Sequence, residues 1–262
     1  MELQLYQINA FTNNVFGGNP ACVVPLTHWL DDGLLLKIAK ENAVAETAFF
    51  INKDDKIHLR WFTPEIEMDL CGHATLATAH CLSKILKHEN QKFTFETLSG
   101  DIIVEVEGGF YSLNLPSRMP IESQLPHNIK RALNIQPKEI LKSRDFVLVY
   151  DNETEIRNIK IDLKAFNQIN LGTGGLIVTA KGDNCDFVSR FFTPQSSILE
   201  DPATGSAHCS LIPYWSSILN KNEFYAKQIS ERLGELYCTN LGERVVVKGQ
   251  AKTYSIGSFF TE

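Results

Sequence analysis

The chain has 262 residues, 44% of them hydrophobic and 21% charged, with a formal net charge of −6. This suits one large domain or two of about 130 residues. It is too apolar for a disordered segment, and its charge argues against nucleic acid or an anionic membrane as partner.

No apolar run nears the roughly 18–20 residues that a membrane span needs. Residues 1–6 show no basic stretch leading into an apolar one. A cytoplasmic location is therefore expected. Cys22, Cys71, Cys81, Cys185, Cys209 and Cys238 are scattered, with no C-x-x-C pair, and are expected to be reduced.

Taken in order, residues 3–10 alternate as a strand. Phe16-Gly17-Gly18-Asn19-Pro20-Ala21 is a turn, and residues 21–25 form a short apolar strand. Residues 31–42 predict a helix capped by Asp31 or Asp32, with Leu34, Leu35, Ile38 and Ala39 at helical spacing. Residues 44–51 read as a buried strand whose only charge is Glu46. An exposed edge position would explain it. So would a carboxylate in apolar surroundings, whose pKa desolvation would raise towards general acid/base duty. A strand over 57–62, a hairpin turn at Asp54 and Asp55, and a helix over 74–86 rich in small residues follow. Strands are expected over 92–95, 101–106 and 110–115.

Residues 116–136, with Pro116, Pro120 and Pro126, read as the link between two domains, 1–118 and 119–262, the last strand being able to return to the first domain. This stretch should hold a short helix near 128–133. The second half reads as strands over 146–150, 176–179, 186–192, 236–239, 244–247 and 253–256. A partly helical segment is expected over 155–166. A helix should run from Thr204 to about Asn220, with a kink or early stop at Pro213.

The halves repeat one unit. Arg60-Trp61-Phe62-Thr63-Pro64 and Arg190-Phe191-Phe192-Thr193-Pro194 lie 130 residues apart. Gly72 and Gly205, in Cys71-Gly72-His73-Ala74 and Thr204-Gly205-Ser206-Ala207, lie 133 apart. A rival register matches Ala79-His80-Cys81 with Ala207-His208-Cys209. The glycine register is preferred because it equates helix starts, where the backbone must turn tightly and expose N–H groups.

Helix N-termini bind carboxylates and phosphates. Two such ends facing one cleft would grip a carboxylate, with His73 and Ser206 as donors and Asp201 as acceptor. The alternative is that Asp201 and Ser206 only cap their helix. Adjacent His80-Cys81 and His208-Cys209 pairs diverge by about 100° on a helix and make poor zinc ligands. Gly172-Thr173-Gly174-Gly175 lacks the Lys-Ser/Thr of a phosphate loop and is a turn. Glu65 and Glu67 read as a solvated face.

Asp201-Pro202-Ala203-Thr204-Gly205-Ser206-Ala207, Cys71-Gly72-His73-Ala74-Thr75, Gly18-Asn19-Pro20-Ala21 and Ala45-Glu46-Thr47-Ala48 together resemble the phenazine-biosynthesis (PhzF-like) isomerase family. The order and spacing match along the whole chain. The resemblance implies an α+β, diaminopimelate-epimerase-like fold: two pseudo-symmetric antiparallel β-barrel-like domains, each wrapped around a central helix. It implies acid/base catalysis with no cofactor and no metal, a small carboxylate substrate, and commonly a homodimer.

Glu46 matches the family's catalytic glutamate, which moves a proton between carbons of a dihydro-hydroxyanthranilate type of ring. His73, Asp201 and Ser206 match polar residues that hold the substrate and assist the proton. Gly72 and Gly205 match backbone positions near its carboxylate, flanked by Cys71 and Thr204. Cys22 stands where Gly or Ala is expected. Related racemases use two cysteines. Here the partner of Cys71 is Thr204, too weak an acid, so Cys71 is expected to be buried packing, with a Cys71-dependent epimerase or an inactive binding protein as alternatives.

Overall fold

Met1–Asn114 with Lys248–Glu262 form one unit, and Leu115–Val247 form a second. The structure is a computed structural model and describes residues 1–53 and 56–261. The turn expected at Asp54 and Asp55 lies outside the described residues.

In the first unit the elements are β1 (Glu2–Ala10), β2 (Asn19–Leu26), α1 (Asp32–Asn42), β3 (Glu46–Lys53), β4 (Lys56–Phe62), β5 (Glu67–Met68), α2 (Gly72–His80), β6 (Lys92–Thr97), β7 (Gly100–Glu107) and β8 (Phe110–Pro116). The final strand, Ala251–Phe260, returns to pair antiparallel with β1. β1 pairs antiparallel with β2, and β2 pairs parallel with β3 through the crossover helix α1. Antiparallel β3–β4 and β4–β5 follow, then parallel β4–β6 and antiparallel β6–β7 and β7–β8. Parallel neighbours need a crossover rather than a hairpin, and α1 and α2 supply the two crossovers.

Asp31 caps α1 by accepting from Gly33 N–H at 2.9 Å. Leu35, Ile38 and Ala39 turn inward onto Val24, Phe49 and Phe62. Every residue of α2 is buried, and the helix packs against β1, β2, β3, β7 and the final strand. Its Ala and Thr side chains let strands approach from all sides. Thr75 and Thr78 satisfy their hydroxyls on the carbonyls of Cys71 and Ala74, one turn back. The helix continues as a π-helical turn over Cys81–Ile85.

The second unit contains β9 (Ile121–Glu122), α3 (His127–Ala132), β10 (Glu139–Lys142), β11 (Phe146–Val149), α4 (Glu153–Asn158), α5 (Leu163–Phe166), β12 (Leu176–Lys181), β13 (Phe187–Phe192), β14 (Glu200–Asp201), α6 (His208–Leu219), β15 (Glu223–Gln228), β16 (Gly234–Asn240) and β17 (Arg244–Gly249). Its pairings repeat those of the first: antiparallel β10–β11, parallel β11–β12, antiparallel β12–β13 and β13–β14, parallel β13–β15, antiparallel β15–β16. Among the described residues, each unit thus joins antiparallel strands through two parallel pairs. β10 and β15 were not read from the sequence, because Glu139–Lys142 and Glu223–Gln228 carry charges that dilute the apolar alternation.

The repeat holds at side-chain level. Arg60 grips Glu67 through two bonds of 2.7 Å, and Arg190 grips Glu200 in the same way. Each guanidinium also lies over a phenylalanine, Phe62 or Phe192, about 5 Å from the ring centre. Glu67 is therefore a paired residue, not the solvated one expected. The arginines lie 130 residues apart and the glutamates 133, as the glycine register requires.

Pro213 does not stop α6, which runs on to Leu219. Proline lacks the N–H that would bond to Cys209 O. Arg118 N–H donates to that carbonyl instead, at 2.8 Å, so the helix loses a bond without leaving a buried acceptor bare.

Gly18 sets the loop before β2. It has φ +61°, and a Cβ there would fall 2.1 Å from Ala10 O. Gly18→Ala is expected to destabilise the protein by about 2–4 kcal/mol through left-handed strain and overpacking. Urea unfolding measures this; a loss under about 0.5 kcal/mol would show that the loop yields.

Candidate active site

α2 opens at Gly72 with Cys71 as its N-cap residue, so the first glycine does mark a helix start. The next residue, His73, is 2% exposed. Asn19 Nδ2 lies 3.1 Å from His73 Nδ1, and Cys71 Sγ lies 3.6 Å from the same nitrogen. An amide NH2 can only donate, so Nδ1 accepts and Nε2 carries the ring proton. Nε2 is 3.2 Å from the Glu46 carboxylate, off the line of a well-formed hydrogen bond. Such contacts often tighten only when a ligand arrives.

Glu46 is the first residue of β3, paired with Ala21 of β2, and its side chain is 14% exposed. It is therefore neither a fully solvated edge residue nor sealed in the core. Burial pushes the His73 pKa down to about 3. The imidazole is neutral at physiological pH, and the contact joins a carboxyl group to an uncharged N–H. Donor atoms of Glu46, Cys71 and His73 all lie within 4.8 Å of one another. This imidazole, thiol and carboxylate set could also hold a metal of the zinc type.

Asp201 ends β14 in the second unit. Thr204 Oγ1 donates to the Asp201 carboxylate. Gln228, fully buried, clamps the same loop: its Oε1 accepts from Thr204 N–H at 2.8 Å, and its Nε2 donates to Asp201 O at 2.6 Å and Thr204 Oγ1 at 3.0 Å. Ser230 Oγ donates to Pro202 O at 2.7 Å. Arg144 Nη2 donates to Ser206 Oγ at 3.0 Å.

Gly205 does not start a helix. The expectation of glycines at both helix starts is corrected here: α6 begins at His208, after a turn through Gly205, Ser206 and Ala207. The cause is local. The His208 ring Nδ1 donates to Thr204 O at 2.9 Å and occupies the carbonyl that an α-turn would use, while His208 N–H bonds to Gly205 O at 3.1 Å.

The first unit thus gathers Glu46, Cys71, Gly72 and His73, and the second gathers Asp201, Thr204, Gly205 and Ser206. Cys71 is buried as expected, but it also touches His73. Cys22 is buried, and its thiol is pushed up to about 12. Sequence reading gave no role to Asn19, Arg144 or Gln228. Asn19 stood inside a quoted motif; the other two had no local signal.

Replacing Gln228 with Leu would strand the Thr204 N–H and the Asp201 carbonyl. A loss of about 2–3 kcal/mol is expected in urea unfolding, since buried polar groups left unpaired cost more than a hydrogen bond adds. A neutral result would mean that this loop does not need its clamp.

A family model described as phenazine biosynthesis-like protein matches residues 8–257. An uncharacterized isomerase of Pseudomonas aeruginosa is 43% identical over 258 residues, covering 98% of this chain and 99% of that protein. The human phenazine biosynthesis-like domain-containing protein is 39% identical over 264 residues, covering 90% and 91%. A crystal structure of a PhzF-family protein from Enterococcus faecalis superposes with a TM-score of 0.92 at 40% identity, covering all of both chains. A probable proline racemase from Agrobacterium radiobacter shares the fold, with a TM-score of 0.67 at 9% identity over 99% of this chain and 93% of that one. The diaminopimelate-epimerase-like α+β fold follows. From its matched length and its relatives, the chain belongs to the phenazine biosynthesis-like, or PhzF-like, isomerase family.

Proposed function

We propose that the chain is a cofactor-independent isomerase that moves a proton between carbons of a small carboxylate, of the trans-2,3-dihydro-3-hydroxyanthranilate isomerase type. The observation that carries this reading is the Glu46 carboxylate 3.2 Å from the N–H of a buried, neutral His73. Glu46 takes a proton from one ring carbon and returns it to another. The His73 N–H faces the carboxylate and, as a donor, favours its ionised form, the form that accepts the proton. The polar groups offered to a substrate are Asp201, Thr204, Ser206 and the backbone at Gly205 in the second unit, and the backbone at Gly72 in the first. The enzyme works as a homodimer in the cytoplasm.

Incubation with trans-2,3-dihydro-3-hydroxyanthranilate in D2O, followed by NMR, tests this. The expected result is conversion, with hydrogen or deuterium at the new carbon. Absence of conversion with binding retained favours the inactive carboxylate-binding alternative.

A second reading, a Cys71-dependent epimerase, draws on the 3.6 Å contact between Cys71 and His73. Against it, the residue matching a second thiol is Thr204, whose hydroxyl is committed to Asp201. Cys71→Ser separates the two: the proton-shift reading expects turnover within about tenfold of the parent, while thiol chemistry expects its loss.

A further inference from the structure

Arg144 precedes β11 in the second unit. Its Nε and Nη2 face the Asp145 carboxylate at 3.1–3.3 Å, and Asp145, 1% exposed, also accepts from Gly175 N–H at 2.8 Å. Nη2 reaches Ser206 Oγ at 3.0 Å as well. A guanidinium has donors only, so Ser206 Oγ accepts, and its hydroxyl hydrogen must point away from Arg144. Ser206 is thereby fixed as a donor towards anything else that approaches it.

Arg144 Nη1 is buried and has no hydrogen-bond partner among the described residues, and Arg118 Nη1 shares that condition. A buried guanidinium N–H without a partner is costly and marks a place meant for an acceptor. Arg118, Arg144 and Arg244 all act electrostatically on Cys209, as does Asp145.

We propose that Arg144 is a specificity-determining residue: it sets the Ser206 hydroxyl as a donor and, through Nη1, forms with it a two-donor site for a carboxylate. Bidentate recognition of a carboxylate is what the planar guanidinium does best. The assignment rests on the reading of a carboxylate-bearing substrate, and it selects an anion over its neutral amide. Because Asp145 already holds part of the guanidinium, the fork is rigid before the ligand arrives, which reduces the ordering cost on binding.

Calorimetric titration with anthranilate and with 2-aminobenzamide tests the proposal. The parent protein is expected to bind the anion at least about tenfold more tightly than the amide, as expected for a charge-assisted pair. In Arg144→Gln with Asp145→Asn, which removes both charges together, that preference should vanish with amide binding unchanged. Ser206→Ala should lose part of it, and adding Ser206→Ala to the double variant should cost nothing more, the mark of two groups acting as one.

Should the double variant not fold, Arg144→Lys keeps Asp145 paired but cannot reach Ser206 Oγ and the ligand as well, and its preference should fall by about tenfold. Retained preference in either arginine variant, additive losses, or a parent that does not favour anthranilate would each overturn the assignment. Glu46→Gln should leave the preference intact, so a failed anion site and a failed isomerase reading give different results.

Discussion

Glu46→Gln is expected to lower turnover by about 10³–10⁴ while leaving carboxylate binding and the fold nearly unchanged. Glutamine fills the same volume at the start of β3 and can still meet the His73 ring, but it cannot carry a proton. A positioned acid or base contributes about 10²–10⁴ in rate, and the upper part of that range applies under the proposed mechanism, in which one group both removes and returns the proton. His73 cannot take over: burial pushes its pKa down to about 3, leaving it too weak a base at neutral pH. Any solvent deuterium uptake seen in the parent should disappear together with turnover. More than about a tenth of the parent rate in the Gln variant would remove Glu46 from the chemistry.

Acidification is expected to destabilise the protein well above the pH where carboxylates titrate. Three histidines are held neutral by burial: His73 at about 3, and His80 and His208 at about 4, with Lys84 and Lys252 acting in the same direction on His80. Their ordinary value is about 6.5. Below that pH the unfolded chain takes up protons that the folded chain refuses, so stability is complete above about pH 6.5 and falls as pH drops towards the folded values.

Each histidine contributes a slope of about 1.4 kcal/mol per pH unit, or about 2 kcal/mol by pH 5. Three together approach about 6 kcal/mol, which rivals a typical total stability of about 5–15 kcal/mol. Calorimetry at pH 5 should find uptake of nearly three protons on unfolding, and the melting temperature should drop steeply between pH 6.5 and 5. In His208→Asn the uptake should fall by one. A melting temperature flat from pH 7 to 5 would refute the buried-neutral assignment.

The duplication was legible because its signals are local. Arg-x-Phe-Thr-Pro, followed by an acidic residue and a glycine, repeats after 130 residues with a three-residue insertion before the acidic residue, and each copy folds into a strand, a short strand and a helix. Glu46 was legible for a similar reason: a single charge in an apolar strand stands out against a period-two pattern. The helix start at Gly205 was misread because the competitor was a side chain. Pattern equates Gly72 with Gly205, but only the His208 imidazole, folded back on Thr204 O, shows why the second helix begins three residues late.

Sequence alone determined the family and the doubled architecture and singled out Glu46 as the candidate acid, since each is written in residues a few positions apart. Only the tertiary structure decided the partners: Asn19 on His73 across 54 residues, Arg144 on Ser206 across 62, and His80 on Thr253 across 173. Hydrogen-bond partners so far apart in the chain are chosen by how strands close around a buried helix. That closure depends on the packing of the whole unit and leaves no mark on the spacing of the residues it joins.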